Sequence, residues 1–190
     1  MLTLVGWLLS FWLGMQLFAI ASAVIVGLFL YSTYLKSTVV WGNLMVSALA
    51  ASAFPYGAVG ASGIVGRAWL PASFAFLFHF GREILKDMED VTGDRRRGVA
   101  TLALRIGPKG ACVVSTALFV VLMGVTLAPW VLGMYGVAYL VVIGLLDALL
   151  VLVAVKMIRG GGHLTDQRLS QTLTVGMFMG LLAIVLGEAL

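Results

Sequence analysis

One short stretch holds most of the groups in this sequence that can do chemistry. Glu83, Asp87, Glu89, Asp90 and Asp94 are five of the eight acidic residues in the chain. Lys86 lies among them, Arg82 just before, and Arg95, Arg96 and Arg97 just after. If a helix runs through Asp90, then Glu83, Asp87 and Asp90 share one face at i, i+4 and i+7. Arg82, Lys86 and Glu89 then line the neighbouring face. His79 falls one turn before Glu83 on the first face. Gly93 reads as the helix stop, with Asp94 folded back near Asp90. Carboxylates gathered in this way repel one another and need counter-charge. Lysine and arginine supply it, and so does a hard cation. Mg²⁺ takes oxygen ligands and is held by one or two carboxylates together with substrate phosphates. The pattern therefore points to a Mg²⁺–diphosphate site on Asp87, Asp90 and Asp94, with Glu83 a weaker contributor. Lys86 and Arg95 are placed to hold phosphate oxygens directly. The competing reading is a solvated, salt-bridged loop, with residues 95–97 serving as topology signals or as contacts to anionic lipid heads.

The rest of the chain has to position this segment, and its composition says in what solvent. Of the 190 residues, 62% are hydrophobic and 11% charged. A soluble domain carries about 25% charged residues, so the surface here is one that lipid must solvate. Seven apolar segments follow one another, at 2–14, 17–34, 39–60, 68–87, 110–129, 134–157 and 169–188. The first is shorter than the roughly 20 residues a spanning helix needs, and the other six are long enough. Pro55 is expected to kink or shorten the third segment. The 23 glycines suit close helix packing in lipid. The apolar runs are long and do not alternate as barrel strands do. The expected fold is all-α, a polytopic transmembrane helical bundle forming one domain over residues 1–190.

Charge placement orients the bundle. If the spans alternate, 11 of the 12 Lys and Arg residues fall on one side and Arg67 alone on the other. The positive-inside rule then places the charged loop in the cytoplasm, in a cell membrane. The net charge of +4 reads as this asymmetry, and no nucleic-acid partner is implied. Cys112 is the only cysteine and forms no internal disulfide. No basic residue precedes Lys36, so the n-region of a signal peptide is missing. His79 stands among Phe74, Phe76, Phe78 and Phe80 and reads as a packed helix residue. Asp147 lies mid-span, where an ionisable group is expensive, and is expected to hydrogen-bond a neighbouring helix.

At these residues the sequence resembles the UbiA superfamily of membrane prenyltransferases. Arg82-Glu83-Ile84-x-Lys86-Asp87-x-Glu89-Asp90-x-x-Gly93-Asp94, then Gly98, Thr101-Leu102 and Arg105-Ile106-Gly107, is similar to the second aspartate-rich motif of that family. Its form is most similar to the ether-lipid branch. A second stretch, Tyr31-Ser32 and Leu35-Lys36 followed by Gly42-Asn43-Leu44, resembles the family's Tyr-Ser…Leu-Lys loop and the helix after it. The resemblance implies nine transmembrane helices around a central cavity. It also implies Mg²⁺-dependent transfer of a polyprenyl group, geranylgeranyl in this branch, from its diphosphate to a lipid (glyceryl-phosphate) acceptor. In other branches the acceptor is aromatic.

Carried over by residue, Asp90 and Asp94 match the family's metal ligands and Asp87 an additional acidic position. Lys36 and Lys86 match basic positions near the diphosphate. Tyr31 and Asn43 are weak candidates in the second stretch. The prenyl tail is expected between helices around residues 74–80 and 177–179. The family's first motif, Asn-Asp-x-x-Asp-x-x-x-Asp, has no counterpart, since no acidic residue precedes Glu83. The seven segments then correspond to the third to ninth family helices. The expectation is an N-terminally incomplete chain that does not catalyse transfer alone and that a complementing N-terminal fragment would complete. A CDP-alcohol phosphatidyltransferase would need Asp-Gly-x-x-Ala-Arg, which the sequence lacks.

Overall fold

The computed structural model describes residues 2–162, Leu164 and 168–189. Asp166, one of the scattered acidic residues, lies outside the described residues. The long apolar runs fold as helix, and no strand occurs among the described residues. In chain order the α-helices are α1 (Leu2–Leu13), α2 (Met15–Leu30), α3 (Trp41–Ala51), α4 (Ala53–Ser62), α5 (Trp69–Glu89), α6 (Val91–Arg97), α7 (Leu102–Val131), α8 (Val137–Arg159) and α9 (Leu169–Ala189). A π-helical stretch, Tyr31–Leu35, extends α2, and a 3₁₀ turn, Gly66–Ala68, leads into α5.

Among the described residues five stretches are long and apolar enough to cross a membrane: Met15–Leu35, Trp41–Ser62, Leu102–Val131, Val137–Arg159 and Leu169–Ala189. Six were expected. The missing one is α5, which has 21 residues. Its apolar part ends at Gly81, and its last two turns carry Arg82, Glu83, Lys86, Asp87 and Glu89. Helix α1 has 12 residues and is too short to span, as its composition predicted.

Local chemistry explains the breaks. Pro55 has no N–H to offer the Ala51 carbonyl, so the helix divides at Ser52 into α3 and α4. Helix α7 begins at Leu102, well before the apolar run expected from 110. Gly107 interrupts it at φ 79°, and Pro108 restarts it.

Helix α5 is the hub and packs most extensively on α7 and α3. Ile84, Leu85 and Met88 on α5, Phe119 on α7, and Tyr139 and Leu150 on α8 are fully buried in one core. Gly81 permits the closest approach in this packing. A Cβ there would lie 2.6 Å from the Phe119 ring. At the same level Ser115 Oγ donates to the Gly81 carbonyl at 2.9 Å. The outer surface is apolar: Val113, Val120, Val141, Leu152, Val175 and Val185 are all exposed. That is the surface a lipid environment solvates.

Candidate functional site

The charged end of α5 folds differently from the continuous helix the spacing predicted. Helix α5 stops at Glu89 because Asp90 leaves helical geometry, at φ −107° and ψ 23°. The backbone turns helical again at Val91, and α6 runs to Arg97. Gly98, at φ 67°, is the stop. Gly93 lies inside α6, so its expected role as terminator is corrected. Its part is steric, because a Cβ on Gly93 would collide with the Asp90 carboxyl group.

The break brings Asp90 and Asp94 together as expected, though Arg97 joins them. Its Nη2 donates to Asp90 Oδ2 at 2.5 Å and to Asp94 Oδ1 at 2.7 Å. Asp94 N–H donates to the Asp90 carbonyl at 2.9 Å. The Asp94 side chain is 10% exposed, that of Asp90 52% and that of Arg97 60%. The hydrogen bonds to Asp94 and Asp90 raise the guanidinium's already high pKa. Arg95, the arginine singled out from sequence, is exposed and forms no ion pair among the described residues.

Asp87 is half-buried beside this pair, beyond the apolar part of α5. Asn43 on α3 donates to it, Nδ2 to Oδ2, at 2.8 Å. Burial pushes the Asp87 carboxyl up to about 7; the Asn43 bond opposes the rise, the negative charges of Asp94 and Glu83 add to it, and Lys86 opposes it. A cation placed among these carboxylates would relieve that strain of charge. Asn43 thus holds one lone pair of Asp87 and fixes where the other oxygen points. Asn43→Ala is expected to weaken Mg²⁺-dependent diphosphate binding by about tenfold or more, the usual cost of removing a hydrogen bond that orients a ligand. Equilibrium titration of the variant in detergent measures it.

Glu83 is tied to Arg82 Nη1 at 3.0 Å and to Lys86 Nζ at 3.5 Å. Lys86 is otherwise exposed and free to turn toward a phosphate. Lys36 is exposed at the end of the π-helical stretch, and Tyr31 is half-buried in it. Ala100 N–H donates to the Ser37 carbonyl at 3.3 Å, which seats the Lys36 loop against the segment after α6. Tyr31 makes no side-chain hydrogen bond to the cluster among the described residues. The structure therefore gathers Asn43, Glu83, Lys86, Asp87, Asp90 and Asp94 at one end of α5 and sets the Lys36 loop alongside.

Among the described residues no three Asp, Glu, His or Cys side chains converge into a metal site made by protein alone. The expected trio Asp87, Asp90 and Asp94 is thus not drawn together as one such cluster, and of the three only Asp90 and Asp94 are bridged, by Arg97. Asp90 and Asp94 already share one cation, the Arg97 guanidinium. Their donor set suits a hard divalent ion.

Along the earlier turns of α5, residues of α3, α4, α5, α7, α8 and α9 line a partly open cavity of about 390 Å³. Phe54, Phe74, Phe78, Met177, Leu181 and Ile184 make its walls mostly apolar. Phe74, Phe78 and Met177 come from the two segments expected to hold a tail. His79 also lines it, with its ring near edge-on to Phe78. Asp147 on α8 faces Thr126 of α7, the cross-helix contact expected of it, and its Oδ1 is buried without a hydrogen-bond partner.

Comparison with known proteins covers both the site and the helices that carry it. The model of the UbiA prenyltransferase family matches residues 1–187. Digeranylgeranylglyceryl phosphate synthase of Sulfolobus acidocaldarius is 34% identical over 151 residues, 80% of this chain and 54% of that protein. The Methanopyrus kandleri protein of the same name is 38% identical over 165 residues, 87% of this chain and 60% of its own length. This chain thus spans between half and two thirds of the length of these curated relatives. A solved structure from work on digeranylgeranylglyceryl phosphate synthase in membranes superposes with a TM-score of 0.85 at 28% identity. It covers 98% of this chain and 66% of that one. With its apolar spans and this match along nearly its whole length, the chain is an integral membrane protein and belongs to the UbiA prenyltransferase family.

Proposed function

We propose that the chain is a single transmembrane prenyltransferase domain. In this reading it binds a polyprenyl diphosphate with Mg²⁺ and serves transfer of the prenyl group to a glyceryl-phosphate acceptor in ether-lipid synthesis. The observation that carries the reading is the pairing of Asp90 with Asp94 at the end of α5, a helix whose earlier turns, from Pro71 to His79, line an apolar cavity. A polar head that needs a cation and a hydrocarbon tail that needs shelter match those two parts. The names of the relatives favour geranylgeranyl as the prenyl group and a glyceryl phosphate over an aromatic acceptor.

The roles of the residues follow from their positions. Asp90 and Asp94 would hold Mg²⁺, with Asp87 oriented toward them by Asn43. When bound, Mg²⁺ neutralises the charge that grows on the departing diphosphate. Arg97 stands where a cation stands between the two aspartates. Being mostly exposed, it can turn to the diphosphate once that place is taken. Lys86, Lys36 and Arg95 are the further contacts for phosphate oxygens. The cavity walls keep water from the allylic carbon as its bond to the diphosphate oxygen breaks. The acceptor hydroxyl oxygen would then form the new bond to that carbon, the electron pair of the broken bond staying on the diphosphate oxygen and the hydroxyl proton passing to the departing diphosphate. The clustering of basic residues around the charged end supports a cytoplasmic placement of that end in the cell membrane.

The substrate classes can be tested at equilibrium, without turnover. Purified protein in detergent is titrated with geranylgeranylglyceryl phosphate and with an aromatic acceptor, each in the presence of geranylgeranyl diphosphate and Mg²⁺. Saturable binding of the glyceryl phosphate alone is expected. Preferential binding of the aromatic acceptor would overturn the acceptor assignment.

A further inference from the structure

Two side chains that the proposed chemistry does not use converge on one residue of another helix. Arg82 Nε donates to the Ser170 carbonyl at 3.2 Å. Glu89 Oε1 accepts from the Ser170 N–H at 3.0 Å, and Glu89 Oε2 from Ser170 Oγ at 2.5 Å. Arg82 and Glu89 lie seven residues apart, about 10 Å along α5, yet both close on Ser170. Ser170 is in the first turn of α9, where backbone N–H groups lack partners within the helix. A carboxylate there satisfies one of them and complements the positive end of the helix. The clasp thus grips α9 by its end and resists sliding in both directions.

What α9 carries makes this position matter. Thr174, Met177, Phe178, Leu181 and Ile184 of α9 line the cavity. Glu89 is followed directly by Asp90. Arg82 also holds Glu83 Oε1 at 3.0 Å, and Glu83 pairs with Lys86. One wall of the apolar cavity is therefore fastened to the residues beside the carboxylate pair. Slipping α9 by one residue would move that wall by about 1.5 Å.

We propose that Arg82 and Glu89 are positioning residues that clasp Ser170 to keep the α9 wall in register with the carboxylate end of α5, so that a prenyl chain and its diphosphate seat together. This rests on the reading of that end as a Mg²⁺–diphosphate site. The clasp is not what holds α9 in the bundle. Gly176 packs closely against Leu146 on α8, and Tyr135 donates to Glu188 Oε1 at 2.6 Å near the far end of α9. Loss of the clasp should shift α9 and leave the protein folded.

The test compares two Mg²⁺-dependent affinities in the full chain in detergent, one for inorganic diphosphate and one for geranylgeranyl diphosphate. Their ratio measures what the tail contributes. Glu89→Ala is expected to cut that ratio by about tenfold, the cost of losing contact with roughly two methylene groups. Affinity for inorganic diphosphate should stay near the wild-type value. Glu89→Gln keeps an acceptor for the Ser170 N–H and should restore much of the ratio. Ser170→Ala, which removes only the hydroxyl contact, should lose part of it, and it serves if Glu89→Ala fails to fold. A parallel fall in both affinities, or an unchanged ratio in both Glu89→Ala and Ser170→Ala, would overturn the positioning role. Absence of any Mg²⁺-dependent binding in the wild type would instead overturn the diphosphate reading beneath it.

Discussion

Asp94→Asn is expected to reduce Mg²⁺-dependent binding of a prenyl diphosphate by about 100-fold or more, beyond the 10- to 100-fold typical of losing a residue that only supports a ligand. Asparagine keeps the size and the hydrogen-bonding oxygen of Asp94 and removes the charge. Asp94 is the more buried member of the pair, with its side chain 10% exposed, so water cannot easily replace what it contributes. The Arg97 bond at 2.7 Å to Oδ1 would persist with a neutral acceptor. The fold of α6 should survive, because its start depends on the Asp94 N–H bond to the Asp90 carbonyl, which the substitution leaves intact. An unchanged melting profile beside lost binding is the expected signature, read by calorimetric titration and thermal unfolding of the same sample. Unchanged binding would remove Asp94 from the site.

Gly93→Ala is expected to lose at least about tenfold in the same measurement, although alanine brings no functional group. A Cβ at this position would collide with the carboxyl group of Asp90. That group must then turn away and give up its bond to Arg97, which leaves Arg97 on Asp94 alone and the pair no longer bridged. Helix propensity works in the opposite direction, since alanine stabilises a helix interior by about 1 kcal/mol over glycine. The variant should therefore bind worse while its helix is, if anything, firmer. A serine there should behave like alanine, because the clash is with the Cβ. If Gly93→Ala binds as the wild type does, the orientation of the Asp90 carboxyl is irrelevant to the ligand.

Gly93 also illustrates what the sequence could and could not convey. Spacing alone placed Asp87, Asp90 and Asp94 near one another and marked their surroundings as the seat of chemistry. Apolar run lengths placed α5, α8 and α9 to within a few residues, and missed the first two turns of α7, because lipid leaves the backbone of an apolar run no alternative to internal hydrogen bonds. The break at Asp90 was not legible. A glycine between an aspartate and a charged run is an ordinary stop signal, and only the clash with Asp90 reveals its steric part. The choice between Arg95 and Arg97 turns on the phase of a seven-residue helix, since two residues rotate a side chain by about 200°. Asn43 was singled out, though nothing local joins it to Asp87, 44 residues away. Ser170 is 81 residues from Glu89, and no spacing rule connects them. Pro55 was legible as a break because its missing N–H acts within one turn. Contacts within a helical turn can be read from the chain, and contacts between helices need the bundle.

The central claim is that the carboxylate end of α5 and the cavity lined by the helix's earlier turns form one Mg²⁺-dependent site for a prenyl diphosphate. Its most direct test is a titration of the wild-type protein in detergent with labelled geranylgeranyl diphosphate, with Mg²⁺ and with a chelator. Saturable binding in Mg²⁺ that the chelator abolishes, and that excess inorganic diphosphate displaces, is the predicted result. Binding that is equally strong in the chelator, or that diphosphate cannot displace, would show a lipid tail held by hydrophobic contact alone and would contradict the account.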